Sequence, residues 1–189
     1  DLTNFFALHY PQNEHFGIWQ YVTHTFMHGS TMHLLFNMYG LWAFGTPLEQ
    51  MWGRNKFLFF YFSAGIGAGL IYTLVNYYQF NGIYETIANA GLSNSEIMNI
   101  LDLGQTNDPR VTSGLLTQEQ FTKFYSLYHT PAVGASGAVY GVLVAFGISF
   151  PNTKLALIFL PIPIAAKYFI PLIIFGDLFF GLTSYSVGN

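Results

Sequence analysis

Hydrophobic and polar positions along this chain alternate as long uncharged runs and short polar breaks. Ser30 to Leu48 carries no charge and closes on Pro47, Leu48 and Glu49. Its length matches the ~20 apolar residues that take a helix across a bilayer, and Ser30 is a natural N-cap. Phe57 to Phe80 is the next run, with Gly65, Gly67 and Gly69 offering a close-packing face. The basic turn Gly53-Arg54-Asn55-Lys56 between them predicts an antiparallel pair of spanning helices. A third run, Ala132 to Thr153, predicts a helix to about Phe150. Leu155 to Ala166 is apolar but holds Pro161 and Pro163, which bar a regular helix, so an interfacial extended or re-entrant piece is expected there. Tyr168 to about Leu182 predicts another, rather short spanning helix, with Pro171 in its first turn where proline is tolerated.

Two stretches break the pattern. Residues 1–29 mix histidines and polar residues with Phe5, Phe6, Phe16, Trp19 and Tyr21, and contain no run long enough to span. Such aromatic rings favour the headgroup level, so a loop at the membrane interface is expected. Asn81 to Thr130 places Glu85, Glu96, Asp102, Asp108 and Glu119 against Arg110 and Lys123, which reads as a water-facing acidic insertion. Ser93-Asn94-Ser95-Glu96 and Thr117-Gln118-Glu119-Gln120 fit capping boxes for two short helices separated by Gly104 and Pro109. The chain thus divides into 1–29, an interface loop; 30–80, two spanning helices; 81–131, the insertion; and 132–189, the third helix, the interfacial piece and a last span.

Composition changes the picture in one respect: it names the solvent. Charged residues are 8% of the 189 and aromatics 19%, with a mean hydropathy of +0.37, whereas an ordinary soluble domain is roughly 25% charged. The fold class expected is an all-α polytopic membrane protein with an extracytoplasmic helical insertion. Arg54, Lys56, Lys154 and Lys167 fall on one side of this threading and the acidic insertion on the other, as the excess of Lys and Arg in cytoplasmic loops requires. The Ser30 and Ser136 ends then share the extracytoplasmic side. A net charge of −3 gives no footprint for nucleic acid. The absence of cysteine excludes disulfides, thiolate metal sites and a thiol nucleophile. Nothing at Asp1 reads as a targeting peptide, and a processed or truncated chain is expected.

The chemistry gathers at Pro131-Ala132-Val133-Gly134-Ala135-Ser136-Gly137-Ala138-Val139-Tyr140-Gly141. A serine among small residues at the mouth of a membrane helix reads as a nucleophile. Tight helix packing reads as well, because Gly137 and Gly141 stand four apart. On the first helix His33 and Asn37 are also four apart and share a face. Polar stripes inside membrane helices turn toward a cavity or the bundle interior. There they either donate to an oxyanion or hold helices together by hydrogen bonds. Tyr140 lies one turn after Ser136 and either orients a base or packs. His24, His28 and His33 invite a zinc reading, but Gly29-Ser30 interrupts the helix and no carboxylate falls in register, so neither metal nor cofactor is expected. Asp177, in an apolar run, is a functional candidate by position.

These residues resemble the rhomboid family of intramembrane serine proteases. The likeness rests on His28-Gly29-Ser30-Thr31-Met32-His33-Leu34-Leu35-Phe36-Asn37, on Glu49 before Gly53, and on Gly134-Ala135-Ser136-Gly137 with Tyr140-Gly141. Glycine directly follows Ser136, unlike the elbow of α/β-hydrolases. The resemblance implies a six-helix core with a Ser/His dyad in a water-accessible cavity below the membrane surface. Ser136 would be the nucleophile, and His33, Asn37 and the Ser136 backbone N–H the oxyanion hole. Tyr140 would pack on the catalytic imidazole, while Gly134, Gly137 and His28 support the site. Residues 1–28 would be the family's embedded first loop and Tyr168–Leu182 its mobile fifth helix. Substrates would be single-span membrane proteins, cut near a helix-destabilised end with small residues at the scissile bond, and the setting a bacterial inner membrane.

Two departures stand beside the likeness. The family's general base is a histidine on the sixth helix, and here no histidine follows His129. The sequence is therefore expected to hold an incomplete rhomboid-like bundle, with the first helix and the base outside it. Trp19-Gln20 stands where the family often has Trp-Arg, which opens the question of what anchors the first loop. The rival readings are a catalytically inactive rhomboid-like protein that binds transmembrane segments, and an unrelated channel or carrier.

Overall fold

The computed structural model describes the backbone of residues 2–157 and 160–187, and the side chains of these except 156–162 and 177–187. The side chain of Asp177 lies outside the described residues.

Three short segments open the chain: α1 (Leu2–Phe6), α2 (Gln20–Thr23) and a 3₁₀ turn over His24–Phe26. The first spanning run follows without a break from Thr31 to Trp52, as α3 (Thr31–Gly40), a π-helical turn over Leu41–Gly45, and α4 (Thr46–Trp52). It overruns the end expected at Leu48. Pro47 has no N–H to offer the carbonyl of Ala43, and the widened turn directly before it absorbs the misfit. The run stops instead at Gly53, whose φ of +82° suits only glycine. That single residue reverses the chain, so Arg54 and Lys56 belong to the next helix rather than to a four-residue turn.

That helix, α5 (Arg54–Asn89), has 36 residues and, at ~1.5 Å per residue, is ~54 Å long. It continues past Phe80 because Phe80, Ile83, Tyr84 and Ile87 keep the helical spacing and pack on the insertion. The insertion comprises α6 (Asn94–Leu103), α7 (Pro109–Thr112) and α8 (Gln118–His129). Both expected capping boxes are present: the Ser93 hydroxyl accepts from the Glu96 N–H, and the Thr117 hydroxyl from the Gln120 N–H. Gly104 ends α6 in the left-handed region.

After it come α9 (Ser136–Ser149), β1 (Lys154–Leu157), β2 (Leu160–Ala165) and α10 (Ala166–Val187). The piece expected to be extended or re-entrant is an antiparallel hairpin, with Lys154 opposite Ala165 and Leu155 opposite Ile164. Prolines are tolerated because both strands of a two-stranded ribbon are edges. α10 starts two residues before the expected Tyr168, so Pro171 falls inside the helix rather than in its first turn.

By contacts the chain forms two units, each built from non-consecutive stretches. One joins Asp1–Met27 to Ile66–Gly134, the other His28–Gly65 to Ala135–Asn189. The first has its core at Tyr10, Phe80, Ile87, Ile97, Leu101 and Phe124. The second is centred on Leu48, Phe57, Ala138, Val142, Phe146 and Ile170. α3 shows which solvent surrounds the second unit. Its buried residues are Asn37 and Gly40, while Met32, Leu35, Phe36 and Tyr39 are exposed. A helix with its polar side inward and its apolar side outward is arranged for lipid. Among the described residues α5 alone is long and apolar enough as one helix to cross a bilayer.

Candidate functional site

The site is built where α3 meets α9. Ser30 caps α3 by accepting the His33 N–H at 3.1 Å, which sets His33 in the first turn and Asn37 one turn further. A β-carbon on Gly40 would stand 3.0 Å from Val139 Cγ1, so the two backbones nearly touch there. Further along, Phe44 meets Phe146 edge to face at 5.1 Å between centroids. Residue numbers rise together along the two helices, which therefore run parallel. Stepping back three residues from the Gly40–Val139 contact, ~4.5 Å on each helix, puts Asn37 and Ser136 at one level.

Asn37 is 6% exposed and its Nδ2 has no hydrogen-bond partner. Leaving a buried donor unpaired costs ~1–3 kcal/mol, so this amide is held ready for an acceptor. Ser136 is the first residue of α9 and half-buried. The first ladder bond of α9 runs from the Val139 N–H to the Ala135 carbonyl, so the N–H groups of Ser136, Gly137 and Ala138 have no acceptor within the helix. Gly134, with φ +118°, turns the chain into α9, a conformation a side chain would strain. His28 lies edge-on to His33 at 5.2 Å between centroids, and its buried Nε2 has no partner.

The small residues of α9 do pack. A β-carbon on Gly141 would lie 2.8 Å from the Ala64 Cβ of α5. Tyr140 and Gly141 line an apolar cavity of ≈ 600 Å³ with Phe60, Val144, Ala145, Ile148 and Ile174. Close helix packing therefore falls at Gly141, five residues after Ser136. His129 is committed elsewhere: its Nε2 donates to the Leu101 carbonyl at 3.0 Å and its ring lies against Tyr125 at 4.3 Å.

The sequence marks Trp19-Gln20 as a departure but not what Gln20 does: it is fully buried at the centre of the N-terminal segment. Its Oε1 accepts the His9 N–H at 3.1 Å, and its Nε2 donates toward the carbonyls of His15 (2.7 Å), Asn4 (3.2 Å) and Phe5 (3.3 Å). His24 Nδ1 donates to the Gln20 carbonyl at 2.7 Å. The His24 carbonyl in turn accepts the Gly134 N–H at 2.9 Å. Burial holds the imidazoles of His9 and His24 below the ordinary 6.5, which favours their neutral forms. The signal available in the sequence was the departure itself, a neutral amide at the Trp-Arg position.

Residues 15–95 and 110–189 match the family model described as the Rhomboid domain. The chain is 31% identical over 80 residues to the rhomboid protease GlpG of Haemophilus influenzae, covering 41% of this chain and 42% of that protein. It is 28% identical over 138 residues to rhomboid protein 1, mitochondrial, of Saccharomyces cerevisiae, covering 73% and 27%. With the human presenilin-associated rhomboid-like protein, mitochondrial, it shares 27% over 137 residues, covering 72% and 24%. The chain thus spans less than half the length of these curated relatives. No solved structure matches it significantly.

Proposed function

The chain belongs to the rhomboid family of membrane proteins, and from that premise we propose that it carries the nucleophile and oxyanion donors of an intramembrane serine endopeptidase acting on single-span transmembrane substrates. Ser136 Oγ attacks the scissile carbonyl, and the hydroxyl proton passes to a base. The oxygen that becomes negative accepts hydrogen bonds from the Ser136 N–H, the Asn37 amide and His33. Collapse of the tetrahedral species expels the amine and leaves an acyl-enzyme, which water hydrolyses. Gly134, at φ +118°, gives the turn before Ser136 its backbone freedom, Gly137 keeps the first turn of α9 free of a side chain beside the serine, Tyr140 supports the imidazole that takes the proton, and His28 supports His33.

The observation that carries this reading is the Asn37 amide: buried, without an acceptor, and one turn from the point where α3 touches α9. A helix-holding asparagine would have spent that donor on a neighbouring helix. His129 does not serve as the base, since its Nε2 is bound to the Leu101 carbonyl of the insertion. The 189-residue chain alone is accordingly expected not to hydrolyse peptides. The relatives include bacterial and mitochondrial proteins. The site accordingly lies at the membrane face opposite the one marked by Arg54, Lys56, Lys154 and Lys167.

The test is labelling of the full-length protein by a fluorophosphonate, alongside cleavage of a single-span substrate in liposomes. Both activities are expected to vanish in Ser136→Ala. Asn37→Ala is expected to lower kcat by about 10²–10³ while leaving KM little changed, since the amide acts on charge that develops only in the transition state. A full-length protein that captures transmembrane segments yet takes no label at Ser136 would instead be an inactive rhomboid-like binder.

A further inference from the structure

α5 is longer than a bilayer is thick, and its C-terminal half borders a groove. Lys56, its Nζ 5.5 Å from the centroid of the Trp52 ring, and the exposed Tyr77 and Tyr78 are the kinds of residue that mark the two interfaces. The helix rises ~32 Å from Lys56 to Tyr77, against a hydrocarbon core of ~30 Å. A span that starts at Lys56 would reach headgroup depth at Tyr77. Ile71, Leu74 and Tyr78 share one face of α5 and are 64%, 67% and 83% exposed. They form an apolar rail rising to a groove of ≈ 630 Å³, lined among others by Tyr77, Tyr78, Asn81 and Glu85 of α5 and by Gln120 and Lys123 of α8.

A carboxylate and an ammonium from different helices, two aromatic rings at the mouth and a greasy rail below suit one kind of molecule: an amphiphile carrying both charges. We propose that this groove binds the headgroup of a zwitterionic phospholipid. The phosphate lies against Lys123 and Gln120, the amino-alcohol cation against Glu85 and the faces of Tyr77 and Tyr78, and an acyl chain along Leu74 and Ile71. None of these residues belongs to α3 or α9, so the site stands whether or not Ser136 reacts.

The shared chemistry, a phosphate joined to an amino alcohol, also occurs in water-soluble form, and the experiment separates the two sources. The protein in non-ionic detergent is offered equal amounts of phosphatidylethanolamine, phosphatidylcholine and phosphatidylglycerol, with bound lipid counted by native mass spectrometry. Phosphoethanolamine and inorganic phosphate are added separately as competitors. The two zwitterionic lipids are expected to be retained about 10-fold better than phosphatidylglycerol, and about 10-fold less in Lys123→Gln or Glu85→Gln, one charge-assisted contact being lost in each. Leu74→Gln, an exposed change that keeps both charges, is expected to weaken lipid retention at an unchanged melting temperature. Equal retention of the three lipids, or retention unmoved by both charge variants in folded protein, overturns the site. Competition by phosphoethanolamine at lipid-like concentrations overturns the lipid assignment.

Discussion

At the scale of residues, Gly141 and Asn37 show how little a membrane interior leaves to chance. The hydrogen of Gly141 faces Ala64, where a methyl group would sit 2.8 Å from the Ala64 Cβ. Neither partner is the far end of a flexible chain, so relief requires the two helices to part. Gly141→Ala is expected to cost about 1–3 kcal/mol, and Gly141→Leu more, read as a lower midpoint of thermal unfolding in detergent. Asn37 is the converse case, a side chain whose packing is complete and whose chemistry is not. The spacing of His33 and Asn37 was legible as one helical face. That Asn37 keeps its donor unspent was not, because every candidate acceptor lies on another element.

Elements in this chain are punctuated by local rules, and the insertion shows them at work. Arg110 binds Glu96 and Asp108 at 2.7 Å each and donates to the Gly91 carbonyl at 2.8 Å, tying the start of α6 to α7. Hydrogen bonds from the Ser93 N–H, then from Arg110 and the Ser93 hydroxyl, lower the Glu96 carboxyl from 4.5 to about 2. The Arg110 guanidinium likewise lowers Asp108. A depressed carboxyl stabilises the fold above its ordinary value and loses that effect as acid protonates it. The insertion is therefore expected to hold its melting temperature from neutral pH down to about 4.5, then to lose it progressively toward pH 2. Arg110→Gln should flatten that acid limb, with circular dichroism as the readout. Capping boxes were readable because two residues three positions apart specify them. The π turn before Pro47 was not, since a proline in an apolar run predicts a stop as readily as a detour.

For the molecule as a whole, the decisive fact is that neither unit is continuous in sequence. Hydrogen bonds fasten the N-terminal segment to the insertion and the residues just after it. Leu8 and Ala132 exchange backbone hydrogen bonds at 2.9 and 2.8 Å, the Asn13 amide donates to the Tyr128 carbonyl at 3.0 Å, and the Tyr128 hydroxyl donates to Gln12 at 3.1 Å. Gln20 holds the segment's own turns together. Gln20→Leu, close in volume but without the amide, strands the His9 N–H and loosens the carbonyls it served. The expected cost is on the order of 2 kcal/mol, seen as faster proteolytic cleavage within residues 1–27. Unchanged cleavage would mean that the backbone turns hold without it.

The sequence by itself determined the solvent, the helical character of the apolar runs and the motif around Ser136. Composition and spacing along one chain suffice for these, as do the caps at Ser30, Ser93 and Thr117. Tertiary structure decided that α3 and α9 run parallel and touch at Gly40 and Val139, that α5 continues to Asn89, and that the proline-bearing piece folds as a hairpin. It also decided that a neutral glutamine anchors the first segment. The first two depend on partners far away in sequence; the hairpin and the Gln20 contacts are nearer, but there too no local pattern encodes which atom a side chain or strand will meet.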